Sequence, residues 1–545
     1  MSAGQIQLVS YSEENEYLSD DALISFFKII YKRYTNFSIE TVRVEFLNKP
    51  TFGNKYTCEV SKYGDLLHRT WVIIDIPEIP VMLNNDGNPN TKLKSAWARN
   101  LAYVLIEYVE IVIGSKVICR QYGEYLANLE KLNPTLFNDP MDIYTGNIPE
   151  LYDFKPVSET RPSYQLRVPL QFWFCNASSQ SIPLLCLTYD DVFINVKLAD
   201  INSCLLFSPT NFTYIKKIYG QPIFNEPILQ YNNTGMAWAT FDSIDINDYD
   251  TSNYKVNNYL LYYRKISDVA FQTTDSEYYD SYKIYNIIAD FFNNDTPHNY
   301  FIYCLWSKSI LIPISNDDLE SNNIENTYYY QSIVNNLSLT STYLLVDYIF
   351  LATEERIQFF NNKHEYIIEQ IYFTSNKYSN NITNKNNAEV INPCKWVLFL
   401  AQLSYLTNNN VCDFFNYTTS FIRDRYTDEF VGIPLIKTAE ILLNSQSITG
   451  NNEIGFYNKV IPFLKFPRLH STKNGMALYS FALYPITTQQ SGTINLSYFN
   501  TIDILTELNA VDLSNTNYIL KGYFVTVNVL RFIHGVADTV FYSQY

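Results

Sequence analysis

Glycine is scarce in this chain, 16 residues in 545, which excludes collagen-like and Gly-rich linker architectures. Charge is scarce too. Asp, Glu, Lys and Arg together make up 17%, against about 25% in ordinary soluble chains, so long charge-laced helices and coiled coils are excluded. Positive charge is the scarcer sign: 39 Lys and Arg face 55 Asp and Glu, a net charge of −16. Such a surface repels phosphate, so no direct sequence-specific nucleic-acid binding is expected. One basic stretch, Lys28, Lys32 and Arg33, runs against this trend and reads first as a solvated face or a small acidic contact. The opening residues lack the basic and long apolar regions of a secretory signal. The most apolar window, Leu101 to Gly114, is broken by Glu107 and Glu110 and is too short to span a bilayer. A soluble chain is expected.

What is present is apolar and aromatic. Hydrophobic residues reach 47%, with 47 Tyr, 35 Phe and 6 Trp, enough to bury more than one core, and the length calls for two or more. Tyr-rich, charge-poor sequence favours strands. Strand-like runs separated by polar turns occur at Ser38–Leu47, Tyr56–Ser61, Arg69–Ile76, Glu107–Ile113, Gln165–Phe174, Asp191–Leu198, Tyr343–Leu351, Tyr366–Phe373, Trp396–Ala401, Leu478–Leu483, Thr493–Tyr498 and Tyr523–Phe532. Glu45–Ser61 alternates apolar and polar residues roughly every second position, as half-buried strands do, whereas Trp71–Ile74 is continuous, as in a strand buried on both faces. Helical pattern is confined to Asp20–Tyr34 and Gly123–Leu132. Residues 202–340, crowded with Asn, Tyr and Asp, read as a long excursion with some strands of its own, including Tyr259–Tyr263. Asn376–Asn387 reads as a polar loop with little to bury. Many short strands with polar turns predict β-sandwiches.

The eight cysteines (Cys58, Cys119, Cys175, Cys186, Cys204, Cys304, Cys394 and Cys412) form no CxxC pair and several sit in apolar runs, so buried free thiols are expected. No catalytic constellation stands out. The five histidines, His68, His298, His364, His470 and His534, show no metal-ligand spacing, and no nucleophile elbow, phosphate loop or dinucleotide fingerprint occurs. The acidic neighbours Asp190-Asp191 and Glu354-Glu355, placed on strands, point to opposite faces and read as solvated turn residues. His364, just before a strand, reads as a structural or exposed imidazole. No catalytic, cofactor-binding or metal residue is assigned and no enzyme is expected.

The amino-terminal residues Gln5–Val9, Tyr17-Leu18 and Ile24–Phe37 resemble the opening of the major capsid proteins of large icosahedral double-stranded DNA viruses. The likeness continues in order through Phe52–Lys55 with Gly64–Leu66, Val109–Gly114 with Gln121-Tyr122, Val168–Phe174, Ile182–Leu185 and Val192–Leu198. It resumes at Val346–Leu351, Glu355-Arg356 and His364–Gln370, and ends with Tyr479–Leu483, Gln490–Thr493 and Asn528–Arg531. It departs from the family pattern at Ser12–Asn15, Ser19–Ala22 and Ile494–Leu496, losing turn-forming Gly and Pro near the amino end.

The resemblance implies an all-β fold of two tandem eight-stranded jelly rolls, with a long insertion between the last two strands of the first. It divides the chain into an arm at 1–37, a first roll at 38–351 with an insertion or tower at about 202–340, and a second roll at 364–545. The implied function is structural: homotrimeric, pseudo-hexagonal capsomers that tile the icosahedral shell. The implied partners are neighbouring capsomers, minor capsid proteins and, through the arm with Lys28, Lys32 and Arg33, the inner viral membrane. The implied location is the virion, after assembly in host cytoplasm, with no cofactor. Two alternatives stand beside it: a minor capsid or membrane-shaping scaffold paralogue, and a carbohydrate-binding β-sandwich.

Overall fold

The computed structural model describes residues 35–83, 87–132, 141–209, 211–232, 235–247, 258–265, 301–313, 334, 337–379, 383–407, 411–420, 422–423, 430, 432–466, 475–509 and 517–541. The helix expected at Asp20–Tyr34 and the basic residues Lys28, Lys32 and Arg33 lie outside them. The first eight-stranded unit comprises β1 (Phe37–Glu45), β2 (Lys55–Val60), β3 (Leu66–Ile76), β4 (Ile106–Ile113), β5 (Lys116–Tyr122), β6 (Tyr164–Pro169) and β7 (Val192–Leu198). After an insertion that holds β8 (Asn211–Tyr219), β9 (Pro227–Asn232), β10 (Gly235–Asn247), β11 (Asn258–Lys265), β12 (Phe301–Cys304) and β13 (Ile310–Pro313), it ends with β14 (Ser341–Leu351). The second unit runs through β15 (His364–Ser379), β16 (Thr383–Asn387), β17 (Pro393–Leu403), β18 (Ile436–Leu443), β19 (Gln446–Ser447), β20 (Ala477–Ser480), β21 (Ile502–Leu508) and β22 (Asn517–Ile533). A final β23 (Val536–Thr539) folds back on β22.

The first unit pairs its strands as β1-β14-β3-β6 in one sheet and β2-β7-β4-β5 in the other. The second pairs them as β15-β22-β17-β20 and β16-β21-β18-β19. Counted from one to eight within each unit, both read 1-8-3-6 and 2-7-4-5, so the chain is a double jelly roll. The first and eighth strands of each unit meet late: β1 pairs β14 from Phe37↔Leu351 to Glu45↔Tyr343, and β15 pairs β22 from His364↔Phe532 to Ser379↔Asn517. β14 buries every second residue over most of its length, whereas Val72, Ile73 and Ile74 of β3 are all buried, which is the continuous pattern of Trp71–Ile74.

The insertion contains a body of its own. Strand Leu205–Ser208 first pairs with Lys94–Trp97 of the first unit. The chain then closes a six-stranded barrel in the order β8-β11-β10-β9-β12-β13. Ile215, Ile228, Phe241, Leu261, Tyr263, Ile302 and Leu311 fill it. The strand expected at Tyr259–Tyr263 is β11.

Several local expectations are corrected. Asn376–Asn387 is no loop: it holds the end of β15 and all of β16. Its polar side chains are satisfied in place, since Asn376 Nδ2 donates to Asn386 Oδ1 at 2.5 Å and Tyr378 OH to the Lys385 carbonyl at 2.6 Å. Glu354-Glu355 sit in the first turn of a helix, Thr353–Asn361, where the carboxylates oppose the positive helix end. The run Gln165–Phe174 stops as a strand at Pro169 and turns into the short helix Trp173–Asn176. Leu478–Leu483 ends at Ser480, and Thr493–Tyr498 is a two-residue bridge followed by a 3-10 turn.

Candidate functional site: the joint between the rolls

The element that joins the rolls is α2. The chain leaves α1 (Leu101–Leu105) into β4, returns by β5, and starts α2 (Gly123–Leu132) where it crosses α1. Glycine is required there, because a Cβ at 123 would run into the carbonyl oxygens of Ile106 and Tyr103. α2 has two apolar sides. Leu126 and Ala127 enter the core of the first roll, while Tyr125 and Leu132 pack with Leu398, Tyr523 and Val525 of the second. Tyr125 stacks on Trp396, centroids 6.1 Å apart, and Tyr122 lies 4.7 Å from Phe373. Aromatic pairs of this kind add about 0.5–1.5 kcal/mol each to area burial.

Within this apolar contact sits a polar knot. The Glu124 carboxylate accepts from Lys521 Nζ at 3.0 Å on both oxygens, from Tyr523 OH at 2.6 Å and from Tyr417 OH at 3.0 Å. Asn128 Nδ2 donates to Tyr417 OH at 2.9 Å, and Lys521 Nζ also donates to Gln402 Oε1 at 2.8 Å. Burial first, and the Glu124 charge second, raise the Tyr417 and Tyr523 phenols well above their ordinary value, so both remain donors. Further ties flank the knot. Gln370 Nε2, fully buried, donates to the Ile118 carbonyl at 2.6 Å, Tyr189 N to the Gly535 carbonyl at 3.0 Å, and Ala537 N to Asp190 Oδ2 at 2.9 Å. The apolar core of the first roll continues into Ile368, Leu530, Phe532 and Ala537 of the second. A joint with fixed hydrogen bonds and interdigitated side chains holds the angle between the rolls.

A second polar centre lies inside the first roll. Glu110 on β4, its side chain 1% exposed, accepts from Arg120 at 2.7 and 2.9 Å, from Asn195 Nδ2 at 3.0 Å and from Lys55 Nζ. Burial alone raises its pKa, but the donors Lys55, Arg120 and Asn195 outweigh it and hold the carboxyl below the ordinary value. The insertion barrel is seated similarly: buried Asp242 accepts from Lys94 Nζ at 2.7 Å and Ser208 Oγ at 2.8 Å, and Asp245 from Lys92 Nζ at 2.6 Å.

This architecture coincides with known sequences over the same spans. The family described as major capsid protein N-terminus matches residues 25–231, and that described as large eukaryotic DNA virus major capsid protein matches 355–537. Probable capsid protein 4 of Acanthamoeba polyphaga mimivirus is 31% identical over 545 residues, covering 100% of both chains. The chain belongs to the major capsid protein family of large eukaryotic DNA viruses. The major capsid protein of Phaeocystis pouchetii virus is 23% identical over 99% of this chain and 100% of its own. Among solved structures, the Faustovirus major capsid protein superposes with a TM-score of 0.58 at 12% identity, over 96% of this chain and 94% of its own. A chain of the PBCV-1 virus capsid gives 0.55 at 18% identity, over 95% and 100%. The role of this capsid protein is therefore structural.

The residues weighed for chemistry are dispersed in the capsid fold. His68 is buried, its Nδ1 2.8 Å from the Phe174 carbonyl. His364 opens β15 with Nε2 2.7 Å from the Phe359 carbonyl and its ring stacked on Phe359. His534 is exposed in the turn between β22 and β23, and His298 and His470 lie outside the described residues. Asp190 and Asp191 diverge, the former to β23 and the latter to Lys62 at 2.8 Å. All eight cysteines are free thiols, six of them buried. The polar residues that matter to the joint, Glu124, Asn128, Gln370 and Lys521, were not singled out from sequence. Glu110 carried a signal, a lone carboxylate in an apolar window.

Proposed function

We propose that the chain forms homotrimers with a pseudo-hexagonal outline, the capsomers that tile the icosahedral shell. The observation that carries this reading is the shared strand order of the two rolls across a joint with a continuous apolar core. Three chains, each presenting two like bodies at a fixed angle, offer six similar sides around a threefold axis, and six similar sides close a flat lattice. Exposed apolar side chains support a large subunit contact: Phe463 is 69% and Leu464 62% exposed, with Leu483, Tyr484 and Tyr498 also at the surface. Native mass spectrometry of the purified chain tests it. A species of three times 63.5 kDa supports the capsomer, and a monomer at micromolar concentration overturns it.

In this reading the chain works as an arm at 1–37, rolls at 38–351 and 364–545, and a tower at about 202–340 facing the particle exterior. The barrel's separate core and its seat on Lys92 and Lys94 support a projecting body. The arm touches minor capsid proteins or the inner membrane, neighbouring capsomers meet through polar contacts, assembly takes place in host cytoplasm, and no turnover is involved. The alternative reading is a minor capsid or membrane-shaping scaffold paralogue. Copy number in purified virions separates the two roles.

A further inference from the structure

The helix between the rolls, Thr353–Asn361, carries Ile357, Phe359 and Phe360, yet none of its nine residues is buried. Ile357 is 55% and Phe360 61% exposed. Arg356 ties the helix to Asp65 of the first roll at 2.9 Å, and a groove of about 540 Å³ runs between the two. Leu185, Phe350 and Tyr63 form the opposite wall. Tyr63 is itself 54% exposed and stands edge-on to Phe350 at 5.6 Å. An open apolar groove of this kind marks a binding surface. It lies away from the insertion, because β14 covers eleven residues from Ser341 to Leu351, about 36 Å, before the helix begins.

Three observations point to one occupant. The first is where the described chain begins. The Asn36 carbonyl accepts from Ala352 N at 3.2 Å, so the chain enters the first roll directly beside the start of this helix. Thirty-four residues precede Thr35, and a segment tethered at the groove's edge competes for it at an effective concentration of about millimolar. The second is spacing. The 3.6-residue period of the helix expected at Asp20–Tyr34 puts Leu23, Ile24, Phe27, Ile30, Tyr31 and Tyr34 on one side, the pattern of anchors that a helix lays into a groove. The third is charge. Glu354 and Glu355 open the linking helix, and among the described residues Glu355 Oε2 is shielded from solvent without accepting a hydrogen bond. Lys28 and Lys32 flank the apolar side of the arm and supply donors of the matching sign.

We propose that residues 23–34 of the chain's own arm dock in this groove, apolar side inward, and clasp the helix that links the two rolls. The same period turns Phe26, Ile29 and Arg33 away from the groove, so the docked arm presents them to the minor capsid protein or membrane that the arm meets. The docking does not depend on how many chains a capsomer holds.

Hydrogen–deuterium exchange of the full chain tests the docking, with a synthetic peptide of residues 18–36 as the free reference. Residues 23–34 are expected to exchange at least about tenfold more slowly in the chain than in the peptide. Ile357→Asp combined with Phe360→Asp, both at exposed positions, is expected to return 23–34 to the peptide rate while β3 and β14 keep theirs. Should that variant fail to fold, Phe27→Asp combined with Ile30→Asp carries the test, read as faster exchange of residues 353–361. Peptide-like exchange of 23–34 in the wild-type chain overturns the proposal. So does protection that persists in the folded Ile357→Asp, Phe360→Asp variant, or unchanged exchange of 353–361 in the arm variant. Protection that appears only with added anionic phospholipid vesicles makes the arm a membrane contact and overturns it too. Isotopically light and heavy chains carrying Phe27→Cys and Phe360→Cys, assembled together and oxidised, settle whose arm it is. Cross-linked peptides of one isotope support the chain's own arm, and light-to-heavy pairs overturn it in favour of a second copy. The trimer mass is read separately, so failure of the docking and failure of the capsomer reading are told apart.

Discussion

Glu124 on α2 and Lys521 on β22, 397 positions apart in sequence, place both carboxylate oxygens 3.0 Å from one ammonium group. The pair is 14% and 15% exposed and is embedded between the rolls, so it fixes position as much as it contributes energy. Glu124→Gln keeps the shape but leaves Lys521 without its carboxylate. A loss of about 2–3 kcal/mol is expected, somewhat below the range for a fully buried pair. Lys521→Met is expected to cost less, because Tyr417 and Tyr523 still donate to Glu124. The double variant should cost less than the two single losses added together. Thermal unfolding of the four proteins checks this, and strict additivity would sink the coupling.

Much of the two rolls is legible in sequence, because strands such as β3, β7, β14 and β22 carry their own apolar patterns. β16 is illegible for a physical reason. Its sequence, Thr-Asn-Lys-Asn-Asn, has no apolar side chain, and only pairing with β21 from Thr383↔Glu507 to Asn387↔Asp503 makes it a strand. Even so it buries alternate residues, Asn384 and Asn386. β18 and β21 were missed differently, since Ile436–Leu443 and Ile502–Leu508 mix charge with apolar residues in patterns that no single period captures. The joint was hidden because its donors lie on elements whose partners are hundreds of residues away. No local spacing announces that Glu124 and Lys521 belong together.

Acid should weaken the first roll through Glu110. Its folded pKa is held below the ordinary carboxylate value by Lys55, Arg120 and Asn195, against the raising effect of burial. The unfolded chain therefore takes up the proton first. The stabilisation is fully present above the unfolded pKa and is lost as pH falls through the folded one. His68 adds in the same direction at higher pH: burial lowers its pKa, against the Phe174 carbonyl, so stability declines as pH falls below about 6.5. Melting temperature measured from pH 8 to 3 should fall in both windows. Glu110→Gln should be less stable at neutral pH and show a shallower fall on the acid side, and an unchanged slope would count against the Glu110 assignment.

The thiols should be silent in the native protein. Burial pushes Cys58, Cys119 and Cys175 up to about 12 and Cys186 to about 11, so almost no thiolate exists at pH 8 to attack a reagent. Titration with a chromogenic disulfide should give far fewer than eight reactive groups in the folded chain and all eight in denaturant without reductant. Fewer than eight after denaturation would reveal a disulfide.

Gly123 and Gly450 separate two reasons for glycine. At 450 the backbone has φ +69 and open space where a Cβ would stand, so Gly450→Ala meets only backbone strain, about 1 kcal/mol. At 123 the obstacle is the crossing of α2 over α1, where a methyl group collides with two backbone carbonyl oxygens that no rotamer change can move. Relief requires α2 to shift, and a shifted α2 pulls Tyr125 off Trp396 and Glu124 off Lys521, so one methyl group disturbs both faces of the joint. Gly123→Ala is expected to cost at least about 3 kcal/mol. It should also lower soluble yield. Parallel melting curves of the two variants decide the matter: equal shifts would mean that the helix crossing yields freely and that α2 does not set the angle between the rolls.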